Sequence, residues 1–226
     1  MGKVGETQMT KLNLSADQVL TTTRAVRKRM DFERAVESEV IEECLQIALQ
    51  APSGSNSQGW HFVVVTDEDK KAQIARYYQA SFAEYERGPG QPTKIHTDDP
   101  SMKDIQERVL GSAQFLSANM ARVPAMLIPC AAGRLDDPDL PFPHAAGAYG
   151  SIIPAVWSFM LAARERGIGT CWTTLHLNYE KEIAAILDIP ANYTQIALIP
   201  LAYTKGTDFK VAPRKPLADI LHNNGW

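Results

Sequence analysis

Three short apolar runs set the frame in which this chain can fold: Trp60 to Val65, Ala125 to Cys130, and Gln195 to Tyr203. Each is the length of a strand and is bounded by turn residues or charge, so each reads as a strand. The first is an almost unbroken apolar, β-rich run ending at Asp67, the pattern of a strand buried on both faces. The stretches between them are far too long for hairpin loops and carry apolar residues at helical spacing. Helices therefore alternate irregularly with a few strands, which defines a layered α+β or α/β domain and leaves its topology open.

The helical stretches carry their own boundary signals. Ser15 is placed to cap a helix through Val19 and Leu20, and Ser38 to cap a second one in which Ile41, Cys44, Leu45 and Ala48 repeat until Pro52 forces a stop. Helix resumes after Asp67, with Tyr77, Tyr78, Phe82 and Tyr85 in a stripe whose commonest use is packing. From Glu86 to Ser101 the chain is rich in Gly, Pro and charge and reads as irregular, suited to a lid within a variable segment 80–105. Met102 to Asn119 is helical and Asp136 to Pro143 irregular, and a long apolar helix then reaches Arg166 and stops at Gly167 and Gly169. Cys171 to Thr174 is short and extended, Asn178 to Leu187 helical, and residues 1–11 polar and loose.

At 226 residues with 45% hydrophobic content, one domain over 1–226 buries a sizeable core. A net charge of -3 gives no attraction to phosphate backbones or anionic membranes, so neither is an expected partner. Cys44, Cys130 and Cys171 are odd in number and set in apolar surroundings, the usage of reduced thiols; with no export signal at the N-terminus, a cytoplasmic location is expected. Ala145 to Ala163 is long enough to raise the membrane question, but Gly147, Gly150, Ser151, Pro154 and Ser158 interrupt it and point to a buried helix. His61 and His176 lack neighbours at ligand spacing, so no metal is expected.

Chemistry concentrates in three segments. Thr23-Arg24-Ala25-Val26-Arg27-Lys28-Arg29 places Arg24 and Arg27 on one face if helical, and is either an anion-binding element or a solvated helix end. Ala51-Pro52-Ser53-Gly54-Ser55-Asn56-Ser57-Gln58-Gly59-Trp60 crowds small hydroxyl and amide groups between a helix and a strand, where they make an ordinary turn or close on an anion or heterocycle. The third is Gly167-Ile168-Gly169-Thr170-Cys171-Trp172-Thr173-Thr174. In it, Cys171 reads as a small apolar filler and Trp172 as a core residue.

These segments resemble the nitroreductase family. The polar loop is similar to its Ala-Pro-Ser-Ser-x-Asn-x-Gln-Pro-Trp motif, with Gly54 and Gly59 in place of Ser and Pro, and the basic segment to its Arg-Arg-Ser-Val-Arg opening, with Thr23 and Ala25 replacing Arg and Ser. Ile199-Pro200-Leu201-Ala202-Tyr203 and Pro213-Arg214-Lys215-Pro216-Leu217 resemble the family's Ile-Pro-x-Gly-Tyr strand and terminal Arg-x-Pro-Leu.

The resemblance implies a three-layer α/β/α sandwich with a mixed central sheet, assembled as an intertwined homodimer with FMN at the subunit boundary. The FMN contacts carried over are Arg24, Ala25, Val26, Arg27, Lys28, Cys171, Trp172, Thr173, Thr174 and Arg214 from one subunit. Pro52, Ser53, Gly54, Ser55, Asn56 and Gln58 belong to the polar loop of its neighbour. Arg24 and Arg214 would take the phosphate, Arg27 the N1 and O2 edge, and the backbone N–H near Thr174 would face N5. No dinucleotide fingerprint or P-loop is present, so NADPH or NADH would share the flavin pocket with a nitroaromatic or quinone acceptor in a ping-pong cycle. The cofactor carries the redox step, and no catalytic side chain is required. Reductive dehalogenation, flavin destruction and flavin carriage without turnover are the alternative activities.

Overall fold

The computed structural model of the protein describes residues 11–226, so the loose stretch expected at 1–11 lies, Lys11 aside, outside the described residues. Its elements run α1 (Ala16–Thr22), α2 (Ser38–Ala48), β1 (Trp60–Val65), α3 (Glu68–Arg87), α4 (Lys103–Asn119), β2 (Ala125–Ala132), α5 (Phe142–Glu165), β3 (Ile168–Thr170), α6 (Glu180–Leu187), β4 (Tyr193–Gln195) and β5 (Ile199–Tyr203). Cap chemistry sets several starts. Ser15 accepts from the Gln18 amide while the Gln18 side chain accepts from the Ser15 N–H, and Asp67 accepts from the Lys70 amide at the start of α3. For α2 the cap is Glu37 rather than Ser38. The Glu37 carbonyl takes the first helical amides, Val40 and Ile41, and its carboxylate accepts from the Tyr203 hydroxyl at 2.6 Å, which fixes the start one residue upstream.

The sheet order is β1-β2-β5-β3, with β4 on the far end of β2, and all of these pairs are antiparallel. A parallel bridge from Ala25 to Thr170 adds the basic segment beside β3 and makes the sheet mixed. Alternation along β2 builds a core on each face. Ala125, Leu127 and Ala131 point toward α2 and α5, joined there by Ile41, Cys44, Val156 and Phe159. Met126, Ile128 and Cys130 point the other way, toward Ile74, Tyr78 and Phe82 of α3, Leu116 of α4 and Ile183 of α6. The result is the expected three-layer sandwich.

Three expectations need correction. The run Gln195 to Tyr203 is not one strand. β4 ends opposite Cys130 and β5 begins opposite Leu127, so Ile196 to Leu198 faces only Ile128 and Pro129. Pro129 has no amide to donate, and the extra residue opposite it forms a bulge in which the Ile196 N–H still reaches the Pro129 carbonyl at 2.9 Å. Second, β1 is not buried on both faces. It is the edge strand, and Val64 is 39% exposed. Third, α5 is buried only along one stripe of its C-terminal part, including Ile152, Val156 and Phe159, while Phe142, Tyr149, Ile153 and Trp157 stand open.

The segment after α3 is irregular from Gly88, although α3 itself reaches further into 80–105 than a purely loose insertion would. It is anchored at Gln91 and Pro92, both buried, and Lys94 donates to the carbonyls of Arg87 and Gly88 at the end of α3.

Candidate functional site

The basic segment and the stretch after β3 run side by side. The Val26 N–H donates to the Thr170 carbonyl at 2.8 Å, and Val26 turns into the core. Such close approach depends on Gly169, where a Cβ would lie 2.7 Å from both Val26 Cγ1 and Thr204 Cγ2. On either side of Val26, Arg24 and Arg27 remain partly accessible, and Ala25 and Lys28 are exposed.

Burial pulls the Arg24 guanidinium below its ordinary pKa, and the nearby Arg214 lowers it further. Among the described residues neither arginine has a carboxylate within ion-pair distance. Two cations brought together without a counter-charge are poised for an anion. Arg27 donates to Ser112 Oγ of α4 at 3.4 Å and borders Cys171, Tyr78 and Tyr85, favouring the ionised form of each against a stronger effect of burial. The Lys28 ammonium reaches toward Gly111 of α4.

The bulge opposite Pro129 shapes the next stretch. It turns Leu198 away from β2, and Leu198 instead exchanges both backbone hydrogen bonds with Thr173, at 3.1 and 2.8 Å. The Thr173 hydroxyl donates to the Tyr78 phenol oxygen at 3.1 Å. Cys171 is a buried filler and Trp172 packs against the core at its margin. Thr174 is exposed, and its N–H has no acceptor among the described residues.

The polar loop is built differently. Ser55, Asn56 and Gln58 all hold positive φ, at 52°, 53° and 49°, a costly conformation for residues with a Cβ. Ser53 Oγ accepts from the Gln58 N–H at 3.0 Å, the Gln58 side-chain amide donates to Asn56 Oδ1 at 3.1 Å, and the Gly54 N–H donates to Ser151 Oγ of α5 at 2.9 Å. Pro52 leads in, exposed. The hydrogen bonds of this loop run within it and to α5, and none among the described residues joins it to the basic segment or to Cys171–Thr174. Among the described residues, Arg24 thus lies under the influence of Arg214, Arg27 lies beside Cys171 and Tyr78, Thr173 meets Tyr78, and no hydrogen bond ties Ser53–Gln58 to any of them.

Sequence reasoning missed Tyr78, Ser112 and Leu198. Tyr78 sat in a stripe indistinguishable from packing, and indeed stacks on Phe82, so only its hydroxyl distinguished it. His176 is fully buried with neither ring nitrogen partnered among the described residues, and burial takes its pKa to about 3. It stays neutral at physiological pH. The thiols of Cys44 and Cys130 are pushed up to about 11 and about 12 by burial, so both remain protonated.

The sandwich, a mixed sheet covered by helices on both faces, has the form of a nitroreductase-like domain. The profile of the Nitroreductase family matches residues 20–203, and the chain belongs to that family. It is 27% identical over 207 residues to a 4-nitrobenzoate reductase of Nocardioides sp. (strain LMS-CY), covering 83% of this chain and 79% of that protein. Two solved structures share the fold. An iodotyrosine deiodinase bound to FMN and 3-iodo-L-tyrosine superposes with TM-score 0.70 at 23% identity, covering 93% of this chain and 99% of that one. A mutant of an FMN- and NADPH-dependent nitroreductase from sphigopyxis sp. strain HMH gives 0.69 at 20% identity, covering 94% of this chain and 100% of the other.

Proposed function

We propose that this protein is an FMN-dependent oxidoreductase that passes electrons from NADPH or NADH to nitroaromatic or quinone acceptors, working as a cytoplasmic homodimer. The observation that carries the reading is the approach of Arg214 to Arg24, neither with a carboxylate in ion-pair reach among the described residues, on a segment that bridges to Thr170 in the stretch leading to Thr174, whose amide has no acceptor among those residues. This donor set fits FMN. Arg24 and Arg214 would hold its phosphate, Arg27 would place positive charge along the ring edge where negative charge collects on reduction, and the Thr174 N–H would point to the opposite edge. When bound, FMN supplies a two-electron carrier able to accept from a nicotinamide and deliver to an acceptor.

The chain's own task is to orient and to exclude water. Tyr85, half-buried near Arg27, would flank the acceptor, with segments 80–105 and 134–145 setting its selectivity. A homodimer is supported by the open apolar ridge of Tyr149, Ile153 and Trp157 on α5, by Ile47 and Leu49 at the end of α2, and by exposed apolar residues in the C-terminal segment, from Val211 to Trp226. A second subunit seated there would bring its own Ser53–Gln58 loop toward the arginines.

The test is anaerobic mixing of FMN-loaded protein with NADPH and, separately, NADH. Rapid bleaching of the flavin band and its return on adding a nitroaromatic or quinone is the expected result. Colour that persists with both coenzymes points to a flavin carrier instead, and return of colour only with a halogenated phenol points to dehalogenation.

A further inference from the structure

We propose that Tyr78 is a positioning residue for the redox site: its hydroxyl, reaching from α3 through the core, fixes the Thr173 side chain and with it the donors that face the flavin. The inference rests on the flavin reading above and adds to it a residue from a different layer of the fold.

Three observations converge on it. Tyr78 is 3% exposed, stacked on Phe82, and has its hydroxyl 3.1 Å from Thr173 Oγ1, so a buried polar end is spent on one partner. Thr173 is already held on its backbone by Leu198, through a bulge that Pro129 imposes. Its side chain is the remaining freedom, and the Tyr78 hydroxyl removes it. The next residue, Thr174, carries the amide that no described residue accepts.

The bond also leaves a proton to spare. Two hydroxyls share one hydrogen bond, so when Thr173 donates to Tyr78 the phenolic proton is uncommitted among the described residues. Loss of the phenol oxygen would free the Thr173 hydroxyl to rotate and leave it unsatisfied at the margin of the core, which loosens the adjacent amide. Donors aimed at a flavin favour its electron-rich reduced form more than its oxidised form, so their loosening would weaken reduced FMN selectively.

The experiment uses the FMN-loaded protein and Tyr78→Phe, Thr173→Val, the double variant and Thr173→Ser, reading the FMN dissociation constant by fluorescence and the two-electron midpoint potential by anaerobic titration. Tyr78→Phe should keep FMN and lose about fivefold to tenfold of its preference for reduced over oxidised flavin, tenfold corresponding to a potential lower by about 30 mV. Thr173→Val should lower the potential similarly, the double variant no further, and Thr173→Ser should match the parent. An unchanged potential in Tyr78→Phe, or additive losses in the double variant, overturns the proposal. Should Tyr78→Phe fail to fold, equal potentials for Thr173→Ser and Thr173→Val overturn it instead. A parent protein that does not bind added FMN overturns the flavin reading itself, a result distinct from either.

Discussion

Arg29 holds its guanidinium carbon 4.2 Å from the centroid of the Phe209 ring. The same side chain donates to the carbonyls of Lys205 and Asp208, at 3.0 and 2.9 Å, and to the Asp208 carboxylate at 2.8 Å. Arg164, buried in α5, approaches the ring at 4.9 Å and donates to the Thr207 carbonyl at 3.0 Å. The chain that leaves β5 is therefore pinned before it reaches Arg214. Removing a partly exposed cation–π contact costs about 0.5 to 1 kcal/mol. Arg29→Ala should accordingly weaken FMN about twofold to fivefold and speed chymotryptic cleavage at Phe209; unchanged values in both measurements would show that the segment is held by other contacts.

The paired arginines make a prediction that separates phosphate from ring. A charge-assisted hydrogen bond contributes about 1.5 to 3 kcal/mol. Either Arg24→Ala or Arg214→Ala should raise the FMN dissociation constant about tenfold to a hundredfold while leaving riboflavin, which has no phosphate, within about twofold. Parallel loss of both ligands in a binding titration would move the arginines away from the phosphate.

Gly169 is a position of close approach rather than of unusual backbone angle. Gly169→Ala would force its new methyl into Val26 and Thr204, and overpacking of this kind costs about 1 to 3 kcal/mol. For a domain of this size that is a fall in Tm of roughly 2 to 12 °C. Adding Val26→Ala should restore part of it in a thermal melt, since the clash is with the Val26 side chain.

His176 should make the protein acid-sensitive. Its folded pKa is about 3 against an ordinary 6.5, so below about pH 6.5 the unfolded chain takes up a proton that the folded chain refuses. Stability contributed by the neutral ring is complete above pH 6.5 and falls as pH drops toward 3, at up to about 1.4 kcal/mol per pH unit. Urea unfolding at a series of pH values should reveal that slope, and His176→Leu should flatten it. A variant with the parent's slope would assign the acid loss to other groups.

Much of the framework was legible because it rests on local chemistry. Ser15 and Asp67 cap as their sequence positions imply, the strand runs stand where Trp60 and Ala125 begin them, and alternation along β2 is what a doubly covered strand requires. Tertiary effects were harder to see. The break in Gln195–Tyr203 originates in Pro129 on a different strand, and the edge position of β1 depends on sheet order, neither of which a single run of residues records. At the candidate site, Arg24, Arg214 and Thr174 were proposed from residue type and order. Tyr78 was not, because its aromatic body satisfies the helical stripe and hides the use of its hydroxyl.

The open side of β1 has a consequence for how the protein is made. From Phe62 to Val65 the strand carries no charge, and one row of its backbone groups lacks a ladder partner among the described residues. Two such borders brought together can zip to one another. A newly synthesised chain is therefore open to sticking to its siblings along this border, and slowing expression should raise the yield of soluble material.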